Sequence, residues 1–250
     1  MRRRSRASTE RAFAIAAILL AALLLRRLFR PIELRPPERA APPAAESRSA
    51  RRPSDGTGWP SFSIAASVVR AIDGDSALLR SGEEVRYAGI DAPEAGEAFA
   101  EEARAANEAL VAGQELELRP AGSELKDRYG RLLAAVQLAG EGPDGLCVNV
   151  ELVRRGLASV YQTGPESIEP ALRERLLEAQ SEAISERRGI WKDRLARAEK
   201  LGPELVSTRF RIHRRGCPEL KYARPRRVTS VEQECRAGKS FCRRCRPLGD

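Results

Sequence analysis

Aromatic side chains are scarce: Phe, Tyr and Trp make up 5% of the 250 residues. So thin a supply excludes long stacking platforms for single-stranded nucleic acid. Cysteine is sparse and unevenly spread. There are five, Cys147, Cys217, Cys235, Cys242 and Cys245, and four of them fall in the last 34 residues. An odd total placed this way excludes a disulfide framework spanning the whole chain. Histidine is rarer still, with His213 the sole example. Apolar residues, at 42%, suffice for one sizeable core or two small ones.

The net charge of +9 conceals an asymmetry. Residues 1–60 hold 13 Arg against five acids, and residues 207–250 hold 13 Lys and Arg against four acids. Those flanks carry +8 and +9, which leaves −8 for residues 61–206. Basic flanks suit polyanions such as nucleic acid or anionic lipid, while solubility and membrane topology are the plainer uses of such charge.

Residues 12–25 form an unbroken run of 14 apolar residues bracketed by arginines. That is short of the roughly 20 residues a membrane span takes. It matches the apolar region of a signal peptide, yet the "RRLFRP" that follows has no small-residue cleavage site. Leu28 and Phe29 extend the stretch. Residues 1–30 therefore read as a signal-anchor, contacting membrane through residues 12–29, in preference to a cleaved signal peptide. Flanking arginines on both sides give no orientation. The expected location is membrane-anchored and extracytoplasmic, or secreted if the segment is cut. Residues 31–60, rich in Pro, Ala, Arg and Ser, read as a disordered linker.

The pattern changes from Ile64. "IAASVVRAI" reads as a strand, "DGDS" as a turn, and "ALLRSGEEVRYAGI" as two further strands, giving a three-strand meander. "EAFAEEARAANEALVAG" has helical apolar spacing and ends at Gly113. "QELELRP" and "YGRLLAAVQLA" read as strands. "NVELVRRGLASV" reads as a short helix capped by Asn149. "SIEPALRERLLEAQSEAISERRGIW" places Ile168, Leu172, Leu176, Ala179 and Ala183 on one face of a long helix. About five strands and three helices in this order predict an α+β fold, a small closed barrel with helices packed on it.

Three segments carry chemistry. "AIDGDS" supplies Asp73 and Asp75, "RYAGIDAPE" supplies Arg86, Asp91 and Glu94, and "KDRYGR" supplies Asp127, Arg128, Tyr129 and Arg131. Antiparallel pairing in the meander brings Asp75 and Asp91 to one end of the sheet. Two hard oxygen donors there suit Ca²⁺ or Mg²⁺. Pro93 fixes the angle of Glu94, a carboxylate able to deprotonate a water. Two arginines can clamp a phosphate and offset the charge that builds during displacement. Each segment alone has a duller reading, as a turn or a solvated charge.

"VVRAIDGDSALLRSGEEVRYAGIDAPE", "KDRYGRLLAAV", "VNVELVRRGLASV" and "RRGIW" resemble, in that order, the staphylococcal nuclease (thermonuclease) family. The resemblance spans about residues 64–193. It implies an OB-type five-stranded β-barrel with three helices at residues 61–193, and a calcium-dependent nuclease that acts on DNA and RNA and leaves 3′-phosphate ends. By motif position it implies Asp75, Asp91 and the carbonyl of Ala92 as ligands of Ca²⁺. Arg86 and Arg131 would bind phosphate, Glu94 would be the base and Asp73 a supporting acid. Tyr129 and its neighbour Arg128 would lie beside a substrate phosphate. The prototype's closely spaced tyrosine pair is missing, with Tyr161 alone nearby. The loop after Glu94 is also shorter.

The tail carries His213-x3-Cys217 and Cys242-x2-Cys245, 24 residues apart. That spacing fits a tetrahedral zinc site, and a 44-residue basic tail needs such a staple. One or two disulfides are the alternative. Cys147 and Cys235 read as core residues. "FRIHRRGCPEL" and "CRAGKSFCRRCRP" resemble the zinc-binding module of the Ada DNA-repair protein, with His213 where that family has its methyl-accepting cysteine. Residues 194–206 are then a linker and residues 207–250 a basic zinc-binding module. DNA or RNA is the expected partner, with no small-molecule cofactor and a monomeric chain. A non-catalytic nucleic-acid adaptor on the same barrel is the rival reading.

Overall fold

The computed structural model describes residues 63–140, 145–164 and 167–249. The expected signal segment and the linker at 31–60 lie outside those residues. Among the described residues no helix is long and apolar enough to cross a membrane.

Strands β1 (Ile64–Ala71), β2 (Ser76–Leu79) and β3 (Glu84–Tyr87) form the expected meander. The barrel is completed by β5 (Glu115–Pro120) and β6 (Leu132–Leu138), in the closed order β1-β2-β3-β6-β5. Strand β5 alternates as a half-buried strand must, whereas β6 is buried through Ala134–Gln137. In β5, Leu116, Leu118 and Pro120 face inward, while Glu115, Glu117 and Arg119 do not. A short pair, β4 (Ile90–Asp91) with β7 (Ser159–Val160), lies beside the barrel.

Helix α1 (Ala100–Val111) buries Ala103 and Val111, and α2 (Val148–Arg154) buries Val148, Val150, Leu152 and Val153. Helix α3 (Pro170–Ser185) begins with proline at its first turn, where no intrahelical N–H bond is lost. Its buried face is the expected Leu172, Leu176, Ala179 and Ala183. A sharp corner follows. A Cβ on Gly189 would lie 2.2 Å from the Gly156 carbonyl oxygen, and φ there is +51°, so glycine is required.

Two readings need correction. Asn149 is not a helix cap: α2 begins one residue earlier, and the Asn149 side chain is buried against the barrel. It accepts from the Val136 N–H at 2.9 Å and donates to the carbonyls of Ala88 (2.9 Å) and Ala134 (3.3 Å). Strand β3 ends at Tyr87, paired with Ala134, and Asn149 serves the β6 backbone beyond that point.

Residues 194–206 are structured rather than a linker. Helix α4 (Ile190–Leu201) buries Trp191, Leu195 and Ala198, a helical spacing hidden among charges. It leads into a second sheet, order β10-β8-β9-β11, made of β8 (Leu205–Ser207), β9 (Arg211–Arg214), β10 (Arg226–Arg227) and β11 (Ser240–Phe241). Helix α5 (Val231–Arg236) packs Cys235 into the same cluster. That second core joins Leu205 and Ile212 of the second sheet to Ala183 and Ile184 of α3. The basic tail thus completes its core with residues of the barrel domain's last helices.

Replacing Asn149 with Leu should leave the Val136 N–H and the Ala88 carbonyl short of partners, while the Ala134 carbonyl keeps the Ala88 N–H. At about 1–3 kcal/mol for each unpaired buried group, with partial relaxation, a loss of about 2–4 kcal/mol is expected in urea unfolding. An unchanged midpoint would show that the barrel does not depend on this bridge.

Candidate active site

The turn between β1 and β2 shapes one half of the site. Asp73 Oδ1 accepts from the Asp75 N–H (3.0 Å) and from Ser76 Oγ (2.7 Å), closing a side-chain turn. A Cβ on Gly74 would fall 2.6 Å from Ala92 Cβ and 2.7 Å from Ala103 Cβ. Only glycine lets this turn approach both α1 and the segment after β4. Asp75 is thereby held inside, where its Oδ2 accepts from the Ala92 N–H at 2.7 Å.

Strand β3 supplies the other half. Register places Arg86 opposite Ser76. Its Nη2 lies 2.8 Å from Asp75 Oδ2 and 3.5 Å from Asp91 Oδ1. Its guanidinium also donates to the carbonyls of Tyr87 and Ile90, both at 2.8 Å. Arg86 thus bridges the two acids, but Asp91 comes from β4, which pairs with β7 outside the meander, and not from the end of the meander's third strand as expected. Burial drives the Asp75 carboxyl up to about 7; Arg86 opposes this, and the Asp73 charge adds to it.

Asn107 of α1 is an organiser that sequence reasoning missed. It donates to the carbonyls of Asp73 (2.8 Å) and Ser76 (3.1 Å) and accepts from the Tyr87 hydroxyl (2.8 Å). The available signal was a polar residue midway between Ala103 and Val111 on one helix face.

Glu94 sits in the exposed turn after Pro93, where Glu97 Oε2 accepts from its N–H at 2.9 Å. Its carboxylate lies 3.3 Å from Nη2 of Arg243, a tail residue that also binds Asp91. Arg131 is paired with Asp127 at 2.8 Å. Tyr129 is 70% exposed, with Arg128 and Arg131 over its ring. Arg86, Arg128, Tyr129 and Arg131 line a cleft of about 620 Å³ together with Tyr161. A second cavity, about 430 Å³, is bordered by Asp91, Ala92, Glu94 and Arg243.

In the tail, one ligand atom from each of His213, Cys217, Cys242 and Cys245 falls within 4.8 Å of the others. All five cysteines are free, and Sγ of Cys217 and Cys242 are 4.0 Å apart, about twice a disulfide length. His213 Nε2 is 3.3 Å from Thr208 Oγ1, while its buried Nδ1 has no hydrogen-bond partner. Burial and the charge of Arg211 keep the imidazole below its usual pKa, hence neutral. Arg214 N–H donates to Cys245 Sγ at 3.4 Å. Cys235 is fully buried and stands apart from the cluster, and Cys147 is buried in the barrel core.

Asp75 makes metal-free stability depend on pH. Its folded value of about 7 lies above the ordinary 3.8, so folding takes up a proton between those values. The contribution of Asp75 therefore falls as pH rises from about 4 to 7 and is level above that. Urea unfolding in chelator at pH 5 and pH 8 should show wild type losing stability relative to Asp75→Asn. Parallel behaviour of the two proteins would contradict the assignment.

Comparison with known proteins bears on the same segment. Residues 84–193 match the family described as staphylococcal nuclease homologue. An uncharacterized endonuclease of Escherichia coli is 34% identical over 141 residues, covering 54% of this chain and 83% of its own length. The micrococcal nuclease of Shigella flexneri is 33% identical over 133 residues, covering 50% and 72%. An uncharacterized endonuclease of Haemophilus influenzae is 34% identical over 130 residues, covering 50% and 65%. The barrel, the half-buried Arg86 between Asp75 and Asp91, and these similarities agree: the chain belongs to the staphylococcal nuclease family.

Proposed function

We propose that this protein is a calcium-dependent nuclease that hydrolyses DNA, and RNA as a second substrate, to 3′-phosphate ends. The observation that carries the reading is the convergence of Asp91 and Glu94 on one cavity with Arg86 on the adjoining cleft, and with the buried Asp75 paired to Arg86 behind them. The donor set fits a hard divalent cation. Asp75 and Asp91 offer carboxylate oxygens, and burial leaves the Asp75 charge under-compensated by Arg86. Ala92 borders the same cavity with its carbonyl as a third donor. Bound there, Ca²⁺ would polarise the phosphoryl group and neutralise charge on its oxygens.

The chain's own residues supply the rest. Glu94, exposed and held near a guanidinium, takes the proton from an attacking water. Arg86 and Arg131 line the cleft where a phosphate would lie and offset its growing charge. Asp73 and Asn107 hold the Asp75 turn rigid. Tyr129 and Arg128 offer a ring and a cation to the adjoining nucleotide.

Zinc at His213, Cys217, Cys242 and Cys245 is the second part of the proposal. Two sulfurs on a tetrahedral zinc lie about 3.8 Å apart, close to the 4.0 Å found here. The unpartnered His213 Nδ1 supports the same assignment, with Thr208 placed to fix the ring. The role is structural. The basic tail adds salt-dependent attraction to phosphates that the acidic barrel domain lacks. The apolar segment at 12–29, outside the described residues, is proposed as a membrane tether.

The purified chain should cleave single- and double-stranded DNA with Ca²⁺ and not in chelator. Glu94→Gln should lower the rate by about 10²-fold or more, the scale of a lost general base. Absence of cleavage by wild type in every divalent ion would favour a non-catalytic binder. Elemental analysis should find one zinc per chain, reduced in Cys242→Ser; an undiminished zinc content would overturn the zinc assignment.

A further inference from the structure

Arg243 lies between Cys242 and Cys245, the two cysteines of the C-x2-C knuckle. The knuckle is pinned by the Cys242 N–H donating to the Ile212 carbonyl at 2.9 Å and the Arg214 N–H donating to Cys245 Sγ. From there the Arg243 side chain crosses to the barrel. Its Nε donates to Asp91 Oδ2 at 3.1 Å, its Nη2 contacts Asp91 Oδ1, and Nη2 is 3.3 Å from Glu94 Oε1. The guanidinium also lies over the Tyr161 ring at 5.3 Å, which Arg211 covers at 4.1 Å.

An exposed ion pair contributes little to stability, and alone would mean only a packing contact. Three observations set this one apart. Both acids it touches are the acids assigned to chemistry, and Asp91 is reached from 152 positions away in sequence. Arg243 borders both the 620 Å³ cleft and the 430 Å³ cavity, so it stands where the two meet. Finally, Arg86 and Arg131 are already engaged, the first by two carbonyls and Asp75, the second by Asp127. A third guanidinium at this point adds a bidentate fork beside the base.

We propose that Arg243 is a third active-site arginine, presented by the cysteine knuckle of the tail, which binds the scissile phosphate of a polynucleotide lying across both cavities. Its present partners are carboxylate oxygens, and a phosphate brings two acceptor oxygens of the same geometry to that fork. Arg211 and Tyr161 extend the same wall, where the sequence lacks a tyrosine pair. The inference rests on the nuclease reading and makes the tail part of the active site.

The test uses the full chain with Arg243→Ala, Arg243→Lys and, as a charge-matched control, Arg244→Ala, whose side chain faces Glu219 instead. Two quantities are read on a fluorescein-labelled single-stranded oligonucleotide: kcat and KM for cleavage, and binding by anisotropy in chelator. Arg243→Ala should lower kcat/KM by about 10²-fold, the scale of a lost transition-state donor, with Lys restoring part of it. It should also weaken binding more than Arg244→Ala does. Equal effects of the two alanine variants would overturn the proposal. A faster Arg243→Ala enzyme would overturn it too, by showing an inhibitory plug. If wild type cleaves nothing, the nuclease reading fails on its own, and the anisotropy comparison still decides whether Arg243 holds phosphate. Cys245→Ser that folds by circular dichroism yet binds like wild type would overturn the part given to the knuckle.

Discussion

A guanidinium held between two carboxylates, largely out of water, organises this molecule. Arg86 is 13% exposed, Asp75 8% and Asp91 17% by side chain. Charges so placed are costly to desolvate, and removing one partner of such a group costs about 3–5 kcal/mol. The surrounding fold answers that cost with fixed dipoles. Carbonyls of Tyr87 and Ile90 receive the arginine, and the Ala92 N–H meets Asp75. Strand β3 places the arginine, the β1–β2 turn places one acid, and β4, held by β7, places the other. The cluster still leaves Asp75 with a raised pKa, so it favours additional positive charge. That residual imbalance is what the proposed divalent cation would offset.

The tail is joined to this arrangement at several points. Gln180 of α3 accepts from the Val160 N–H of β7 and donates to the Cys235 carbonyl of α5. Gln162 donates to the Gly238 carbonyl at 3.3 Å. The second core crosses from α3 and α4 into the β8–β11 sheet. Arg243 then reaches the acids from a cysteine-lined knuckle. A positive module packed on an acidic barrel domain is the basis of the proposed attraction for polyanions near the cleft.

Much of the barrel was readable because its signals are local. Alternation in "QELELRP" and the punctuated meander around "DGD" and "SGE" each specify a neighbour pairing. Antiparallel pairing then joins Asp75 to the Arg86–Asp91 segment. What escaped was set by distant contacts. Asn149 looked like a cap because a polar residue at a helix start has that local use, whereas its partners are on Ala88, Ala134 and Val136. Asn107 was hidden by the same ambiguity on α1. Residues 194–206 looked like a linker because Leu195 and Ala198 are diluted by charge, and their burial depends on tail strands far along the chain. Arg243 has no local mark at all; only the packing of the tail on the barrel reveals it.

The most direct measurement of the central claim is a calcium titration by calorimetry on wild type, Asp91→Asn and Glu94→Gln. The account predicts one site in wild type, lost in Asp91→Asn and kept in Glu94→Gln, because the first acid holds the ion and the second addresses water. Undiminished calcium binding by Asp91→Asn would contradict it.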